Sequence, residues 1–385
     1  MGKPKLNQSK NIVISTQCFS PVLGGMENLM KGLADNLYKK NFKIFVFADS
    51  KNLSDDEKHD KILSYEIVRY RGLKIIRRKR KSMDIRKFIN FKKNINSIFC
   101  DSWKSAENLI KNKVIKNEKI FCLAHGNDVL VNKNIIKRKR IRKTFSKINY
   151  VIANSYFTKK KITDLGIKSS KVGVIYPGIE RFYFDSKKSK NTFQKYKNFK
   201  PILLTIARLE KRKNHLNIIY AIKELIKDFK NLLYFIAGDG PEMKNISKLI
   251  HKLNLKKNVK ILGKVDDREK DLLFKISNLH VMPTIQDKKS MSIEGFGMSY
   301  IEAGIYGLPS ISSGLGGTKE SVIHGKTGII CNPSNISSIE NSIRQVLINK
   351  KMYKKLSKNS KNFSKKFLWK NTIKSYLKLI KKNSL

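Results

Sequence analysis

The sequence predicts an α/β fold of two doubly wound, Rossmann-like domains. Three observations carry this expectation. The 385 residues, 40% of them hydrophobic, suffice for two ordinary cores, since one domain takes roughly 100–200 residues. Short apolar runs alternate with helical patterns along the whole length, as parallel strands joined by helical crossovers require. The alternation also occurs twice, on either side of a charged, weakly periodic stretch over residues 185–200 that reads as a hinge.

In the first series strands are expected over residues 11–15, 43–48, 119–124, 150–153 and 172–175, with helices between them. In the second they are expected over 202–206, 232–237, 259–262, 279–282 and 310–312, with Gly, Pro or Asp at their carboxyl ends. After Asn335 the pattern is helical. Ligands of such sheets sit outside the carboxyl ends of the strands, so the candidate residues below are expected to share one cleft. The only compositional bias is Lys and Asn richness, and no internal repeat is visible.

The 82 basic and 30 acidic residues give a formal charge of +52, with basic runs at 77–81, at 137–143 and in the C-terminal tail. An anionic partner is expected. Nucleic acid is disfavoured by the absence of a zinc finger, an RNP-like motif or an arginine-glycine repeat. An anionic bilayer attracts polybasic surfaces at about 1 kcal/mol per nearby Lys or Arg. AT-biased coding accounts equally for a merely solvated lysine surface. No apolar run reaches the roughly 18 residues of a membrane span, and the polar start lacks a secretory h-region, so a cytoplasmic protein is expected. Peripheral contact with the inner face of the plasma membrane fits the same reading. Cys18, Cys100, Cys122 and Cys331 are scattered and read as buried thiols, with no zinc or disulfide pattern.

The chemistry concentrates between Glu294 and Glu302, in EGFGMSYIE, and upstream in ARLEKRK, which holds Arg208 and Lys213. Gly295 and Gly297 permit a tight turn before a helix starting near Met298, whose N-terminal amides suit a phosphate. Arg208 and Lys213 supply full positive charge after the first strand of the second domain. Ionised Glu294 and Glu302 are acceptor-only and suit hydroxyl groups, as on a sugar and a ribose. By spacing alone the two glutamates also read as solvated helix charges, and the two cations as salt-bridge partners. Gly24 and Gly25 follow the first strand in a loop that is either a phosphate contact or a plain turn. The adjacent Asp266 and Asp267 read as a helix cap rather than a metal pair; Thr318 and Glu320 read as a cap and a first-turn acid. The segment 74–93 pairs a basic run with Ile85, Phe88, Ile89 and Lys92 at helical spacing, either a membrane-facing helix or an ordinary surface one.

The stretch from Glu294 to Pro309, EGFGxxxxEAxxxGLP, resembles the E-x7-E motif of the retaining GT-B glycosyltransferases of family 4. Gly24-Gly25-Met26-Glu27, His125-Gly126, Tyr176-Pro-Gly-Ile-Glu180, Gly238-Asp-Gly-Pro241 and Gly316-Gly-Thr-Lys-Glu320 fall in the family's order, so the resemblance spans most of the chain. It implies two Rossmann-like domains facing a central cleft. The acceptor-side domain is expected over residues 1–190, with a helix within 366–385 packing back on it. The nucleotide-sugar domain is expected over 196–365.

The resemblance further implies retaining, metal-independent transfer of a hexose to a lipid-linked, polysaccharide or lipopolysaccharide precursor. It implies no cofactor beyond the nucleotide-sugar donor. The wording is similar to that of bacterial mannosyltransferases acting on phosphatidylinositol, which places GDP-mannose ahead of UDP-hexoses as donor. By resemblance, Arg208 and Lys213 stabilise the leaving diphosphate, Gly25 contacts it, and His125 contacts the transferred sugar. Glu294 then binds sugar hydroxyls beside the Phe296, Gly297 and Met298 backbone, Glu302 binds the ribose, and Gly263 and Val265 line the nucleobase pocket. The alternatives are a GT-B UDP-sugar epimerase, or a catalytically decayed scaffold that binds nucleic acid or an anionic membrane.

Overall fold

The computed structural model describes residues 11–50, 52–92, 94–112, 118–131, 134–181, 194, 196–287 and 289–382. The chain divides into two compact units, Met1–Gly178 with Trp369–Leu385, and Ile179–Leu368. The crossings at 178–179 and 368–369 fall outside the 185–200 stretch, most of which lies outside the described residues.

Unit 1 runs β1 (Asn11–Thr16), α1 (Gly25–Tyr38), β2 (Lys43–Asp49), α2 (Leu53–Asp60), β3 (Glu66–Tyr70), α3 (Lys74–Phe91), β4 (Ile95–Cys100), α4 (Trp103–Lys111), β5 (Lys119–Ala124), α5 (Ile135–Lys147), β6 (Tyr150–Ala153), α6 (Tyr156–Thr163) and β7 (Val172–Val174). Its sheet has the order β3-β2-β1-β4-β5-β6-β7, with parallel pairing throughout. The inner strands are buried on both faces by the crossover helices, which is why β1 reads as a continuous apolar run, while the edge strand β3 is largely exposed. Val13 packs in one core, with Ile98 and Phe145, and Ile12 and Ile14 pack in the other, with Leu33 and Trp369.

Unit 2 runs β8 (Ile202–Ile206), α7 (His215–Leu225), β9 (Leu233–Ala237), α8 (Met243–Lys252), β10 (Val259–Gly263), α9 (Asp267–Ile276), β11 (Leu279–Val281), α10 (Met298–Ile305), β12 (Ser310–Ser312), α11 (Thr318–Ser321), β13 (Gly328–Ile330), α12 (Ile336–Ile348) and α13 (Lys350–Ser364). Its parallel sheet has the order β10-β9-β8-β11-β12-β13. The last helix, α14 (Trp369–Lys382), belongs to unit 1 and packs on α1. Its Trp369 indole fits where Gly32 and Gly178 lack side chains, since a Cβ on either would stand 2.3 or 2.4 Å from the ring.

Three strands depart from expectation. β4 was hidden by the polar Asn96 and Ser97, β3 is a charged edge strand, and β13 has only three residues. In both sheets the chain order reverses beside the first strand, between β1 and β4 and between β8 and β11, where ligand crevices form in such folds.

Candidate functional site

In unit 2 the loop after β8 carries ARLEKRK. Its backbone lies directly on the loop after β9, because Leu209 N donates to the Asp239 carbonyl at 3.0 Å and Glu242 N to the Leu209 carbonyl at 2.9 Å. A Cβ on Gly240 would stand 2.6 Å from the Leu209 carbonyl oxygen, so glycine is needed for the approach. The chain then makes a 3₁₀ turn over Lys211–Lys213 and passes through Asn214 in the left-handed region, φ 62°. The Asn214 amide anchors the turn by donating to the carbonyls of Pro283 (3.0 Å) and Pro333 (2.8 Å). Arg212 and Lys213 are thereby turned inward, 9% and 8% exposed.

They meet Glu294, which leads from β11 towards α10. Lys213 Nζ lies 2.6 Å from Glu294 Oε2, and Arg212 Nη1 donates to the same oxygen. Glu294 is set by a second backbone contact: Gly317 N donates to its carbonyl at 2.9 Å, and a Cβ on Gly317 would stand 1.9 Å from the Gly295 carbonyl oxygen. Gly297 caps α10 in the left-handed region, φ 91°. Two glycine-rich turns distant in sequence thus lock together beneath one carboxylate.

Charge is unbalanced at this point. Burial alone would raise the Glu294 carboxyl, but Lys213 and Arg212 outweigh it and hold the group at about 2. Burial, reinforced by Arg212, pushes the Lys213 ammonium down against the pull of Glu294. Two buried cations share one oxygen of Glu294, and with Arg208 the group comprises three cations and two carboxylates, Glu294 and Glu210. His215 and His280 are pushed down to about 3 by burial, with Lys213 adding to the effect, and both rings are neutral. Glu210 extends the chain of charges, reaching Arg212 at 2.9 Å and Arg208 at 3.3 Å.

The remaining expected residues divide. Arg208 does not join the buried cluster: its side chain is 73% exposed and pairs with Glu210. Glu302, on α10, pairs with Lys270 at 3.3 Å, and Lys270 also approaches Asp267 at 3.9 Å. Phe296 is 1% exposed with its ring against Phe367, and Val265 is 9% exposed in the core with Leu204 and Phe235, so both side chains are structural. Gly263 ends β10 at φ 71° with open space where a Cβ would stand. Met298 is half-buried at the start of α10.

Asp266 and Glu269 form a reciprocal capping box on α9. Thr318 is not a cap: Gly317 takes that position, and the Thr318 hydroxyl turns back to the Leu315 carbonyl at 2.7 Å. Glu320 does lie in the first turn of α11. In unit 1, Gly25 opens α1 and is exposed. His125 follows β5 and donates from Nε2 to the Asp101 carbonyl at 2.8 Å, while its backbone N donates to Asp128 Oδ1 at 2.9 Å.

Two family models match consecutive parts of the chain, Glycosyltransferase Family 4 over residues 23–181 and Glycosyl transferases group 1 over residues 186–363. The chain belongs to the GT-B glycosyltransferases of family 4. Its sequence is 25% identical to that of an uncharacterised glycosyltransferase of Methanocaldococcus jannaschii, over 96% of this chain and 98% of the relative. It is 21% identical to a GDP-mannose-dependent monoacylated alpha-(1-6)-phosphatidylinositol monomannoside mannosyltransferase of Corynebacterium glutamicum, over 89% and 90%. The fold matches the crystal structure of Anabaena HepE in complex with UDP and glucose, with a TM-score of 0.79 and 17% identity over 96% of this chain and 99% of that one.

In this glycosyltransferase the structure brings together Lys213 and Glu294, which the sequence singles out, with Arg212 and Glu210, which it does not, and pairs Glu302 with the likewise unexpected Lys270. Arg212 sits beside Lys213 in a run of three basic residues, where composition gives no reason to prefer one. The left-handed Asn214 and its two amide anchors decide which side chains turn inward. Among the described residues, no group of three His, Cys, Asp or Glu side chains is placed to hold a metal ion.

Proposed function

We propose that this glycosyltransferase moves a hexose from a nucleotide-diphosphate sugar to a lipid-linked or saccharide-precursor acceptor, with retention at the anomeric carbon and without a metal. The observation that carries the reading is the cluster of Arg208, Arg212 and Lys213 around Glu210 and Glu294, three cations to two carboxylates. A donor diphosphate answers that deficit. As the bond from the anomeric carbon to the phosphate oxygen breaks, charge grows on the β-phosphate, and fixed cations act more strongly there than on the ground state. The departing phosphate oxygen accepts the acceptor's hydroxyl proton while the new bond forms on the same face, so no carboxylate nucleophile is required.

In this reading Lys213 stabilises the leaving group, Arg208 closes over it from the exposed loop, and Arg212 holds Glu294 for the sugar hydroxyls. Glu302 takes the ribose, and the backbone of Phe296, Gly297 and Met298 lines the donor. Gly263 and the Val265 backbone border the base. The mannosyltransferase relative favours GDP-mannose, and the UDP complex of the structural neighbour keeps UDP-hexoses in play.

Peripheral contact with an anionic membrane is supported by two helix starts in unit 1. Ile75 and Ile76 are 83% and 60% exposed just before the basic run of α3; Ile135 and Ile136, 67% and 73% exposed, precede that of α5. Exposed apolar pairs beside Lys and Arg suit a headgroup interface. Ile85 and Ile89, by contrast, are buried and form the core-facing side of α3. Among the described residues no helix is long and apolar enough to cross a membrane.

The test is calorimetric titration with GDP, UDP and ADP and their sugar conjugates, followed by a transfer assay with the preferred donor. Selective binding that Lys213→Ala abolishes, and a product of unchanged anomeric configuration formed in the presence of chelator, are expected. Equal, weak and salt-sensitive binding of every nucleotide would sink the reading.

A further inference from the structure

The other concentration of charge lies in unit 1, outside the carboxyl ends of β1 and β4, at the point where strand order reverses. Its frame is Asp101, 1% exposed, which accepts from Gln17 N (2.6 Å), Thr16 Oγ1 (3.1 Å), Ser102 Oγ (3.1 Å) and Ser105 Oγ (2.6 Å). Gln17 is fixed in turn: its amide nitrogen donates to Ser102 Oγ at 2.9 Å and Ser105 Oγ at 3.2 Å, and its carbonyl oxygen accepts from Arg78 of α3. The guanidinium of Arg78 is thereby drawn to the reversal point, with its Nε buried and unpartnered.

From the other side, the Trp103 indole carries two cations. Lys104 Nζ stands 5.6 Å and Arg140 Cζ 5.2 Å from its centroid. Burial pushes the Lys104 ammonium down, and the charges of Lys74, Arg78, Lys137 and Arg140 add to the effect.

The nearby carboxylates are engaged elsewhere. Glu107 pairs with Arg140 (2.6 Å) and Lys111 (3.2 Å), and Asp49 with Arg77 (2.9 Å) and the buried Lys81 (2.8 Å). Asp101 is saturated by hydroxyl and amide donors, and burial pushes the Asp128 carboxyl up. Among the described residues neither Arg78 nor Lys104 has a carboxylate within 4.0 Å. Asp49, Asp101 and Glu107 act on Arg78 from beyond that distance, and a hydrogen-bonded glutamine and an indole hold Arg78 and Lys104 in place.

We propose that this crevice binds a phosphoryl group carried by the acceptor, with Arg78 and Lys104 as its ligands. Two cations arriving from α3 and α4, one of them a guanidinium, suit the several oxygens of a tetrahedral dianion. Because His125 bonds to the backbone of the same Asp101, a phosphoryl held here sets the rest of its molecule beside His125. Only the word acceptor rests on the proposed transfer reaction; the anion site stands on its own geometry.

The probe is glycerol 3-phosphate, with glycerol as neutral control, titrated at constant ionic strength and read by tryptophan emission, since Trp103 is one of only two tryptophans. Saturable binding of the phosphate ester alone is expected. Its apparent Kd should rise tenfold or more in both Arg78→Gln and Lys104→Gln and stay unchanged in Lys213→Ala. Phosphatidic acid vesicles form the second arm. Competition by glycerol 3-phosphate would assign the phosphoryl to a lipid headgroup, and its absence, with soluble binding intact, to a soluble acceptor. The proposal is overturned by no binding to the wild type, by equal binding of glycerol, by unchanged Kd in both variants, or by a loss confined to Lys213→Ala. Failure to bind nucleotide diphosphates would overturn the transfer reading and leave this one standing.

Discussion

Replacing Glu294 by glutamine keeps the side-chain volume and removes the charge that Arg212 and Lys213 share. The carboxyl is held at about 2 against an ordinary value of 4.5. That gap, at about 1.4 kcal/mol per pH unit, corresponds to about 3 kcal/mol of stability at neutral pH. The figure agrees with the roughly 3–5 kcal/mol lost when one partner of a buried ion pair is removed. For a unit of this size about 2–4 °C accompanies each kcal/mol, so Glu294→Gln should melt about 6–12 °C below wild type.

The pH dependence has a definite sign. A carboxyl whose folded pKa is depressed contributes fully above its unfolded value, so the difference between the proteins should be constant above about pH 5 and vanish as pH falls through about 2. Subtracting variant from wild type also cancels the acid destabilisation from the buried, neutral His215 and His280. Because the variant leaves Lys213 unanswered and Arg212 with Glu210 alone, a nucleoside diphosphate lacking sugar should bind it at least as tightly as wild type, while transfer falls by two orders of magnitude or more. Calorimetric melting from pH 2 to 8, with and without the nucleotide, reads all of this. A melting difference under about 2 °C at pH 7, or one that grows on acidification, would refute the reasoning.

Other perturbations follow from the same geometry. Lys213→Ala should lower transfer by about 10²–10³, the effect of losing one charge-stabilising group, with a smaller loss of stability than Glu294→Gln because Arg212 still answers Glu294; single-turnover rates and melting check this. Glu210→Gln releases Arg208 and Arg212 from an internal anion, so nucleoside diphosphates should bind several-fold more tightly, by calorimetry at fixed salt. Gly317→Ala drives a Cβ into the Gly295 carbonyl and should displace the turn bearing Glu294, abolishing transfer while unit 1 keeps its own unfolding transition. Serine at both Ile75 and Ile76 should reduce co-sedimentation with anionic vesicles at low salt and leave nucleotide binding alone.

Much of the architecture was legible because parallel strands buried on both faces leave unbroken apolar runs, as in β1, β5, β8 and β9. The turn into α10 was legible because glycines before an apolar period mark a helix start. Side-chain direction in the loops was not. Arg208 and Arg212 are chemically identical and four positions apart, and only the 3₁₀ turn over Lys211–Lys213, pinned by Asn214, turns Arg212 inward and leaves Arg208 in solvent. The resemblance alone placed Val265 at the base pocket; its aliphatic side chain beside Leu204 and Phe235 contributes more by packing into the core than by facing water. Thr318 looked like a cap because threonine commonly is one, but Gly317 is already drawn against the Gly295 backbone and takes the position.

The charge of +52 divides along the same line. A coding bias toward lysine fills positions where any solvated residue serves, and the exposed lysines of α13 fit that account. It does not explain a lysine 8% exposed whose ammonium burial has pushed down, an arginine beside it on the same carboxylate, or an arginine fixed by a glutamine with its Nε buried. Burying a cation costs free energy unless it is answered, and in both places the carboxylates present are too few or already engaged. What sets these cations apart from the rest of the basic surface is that the fold holds them against repulsion and desolvation, which a bound anion would relieve.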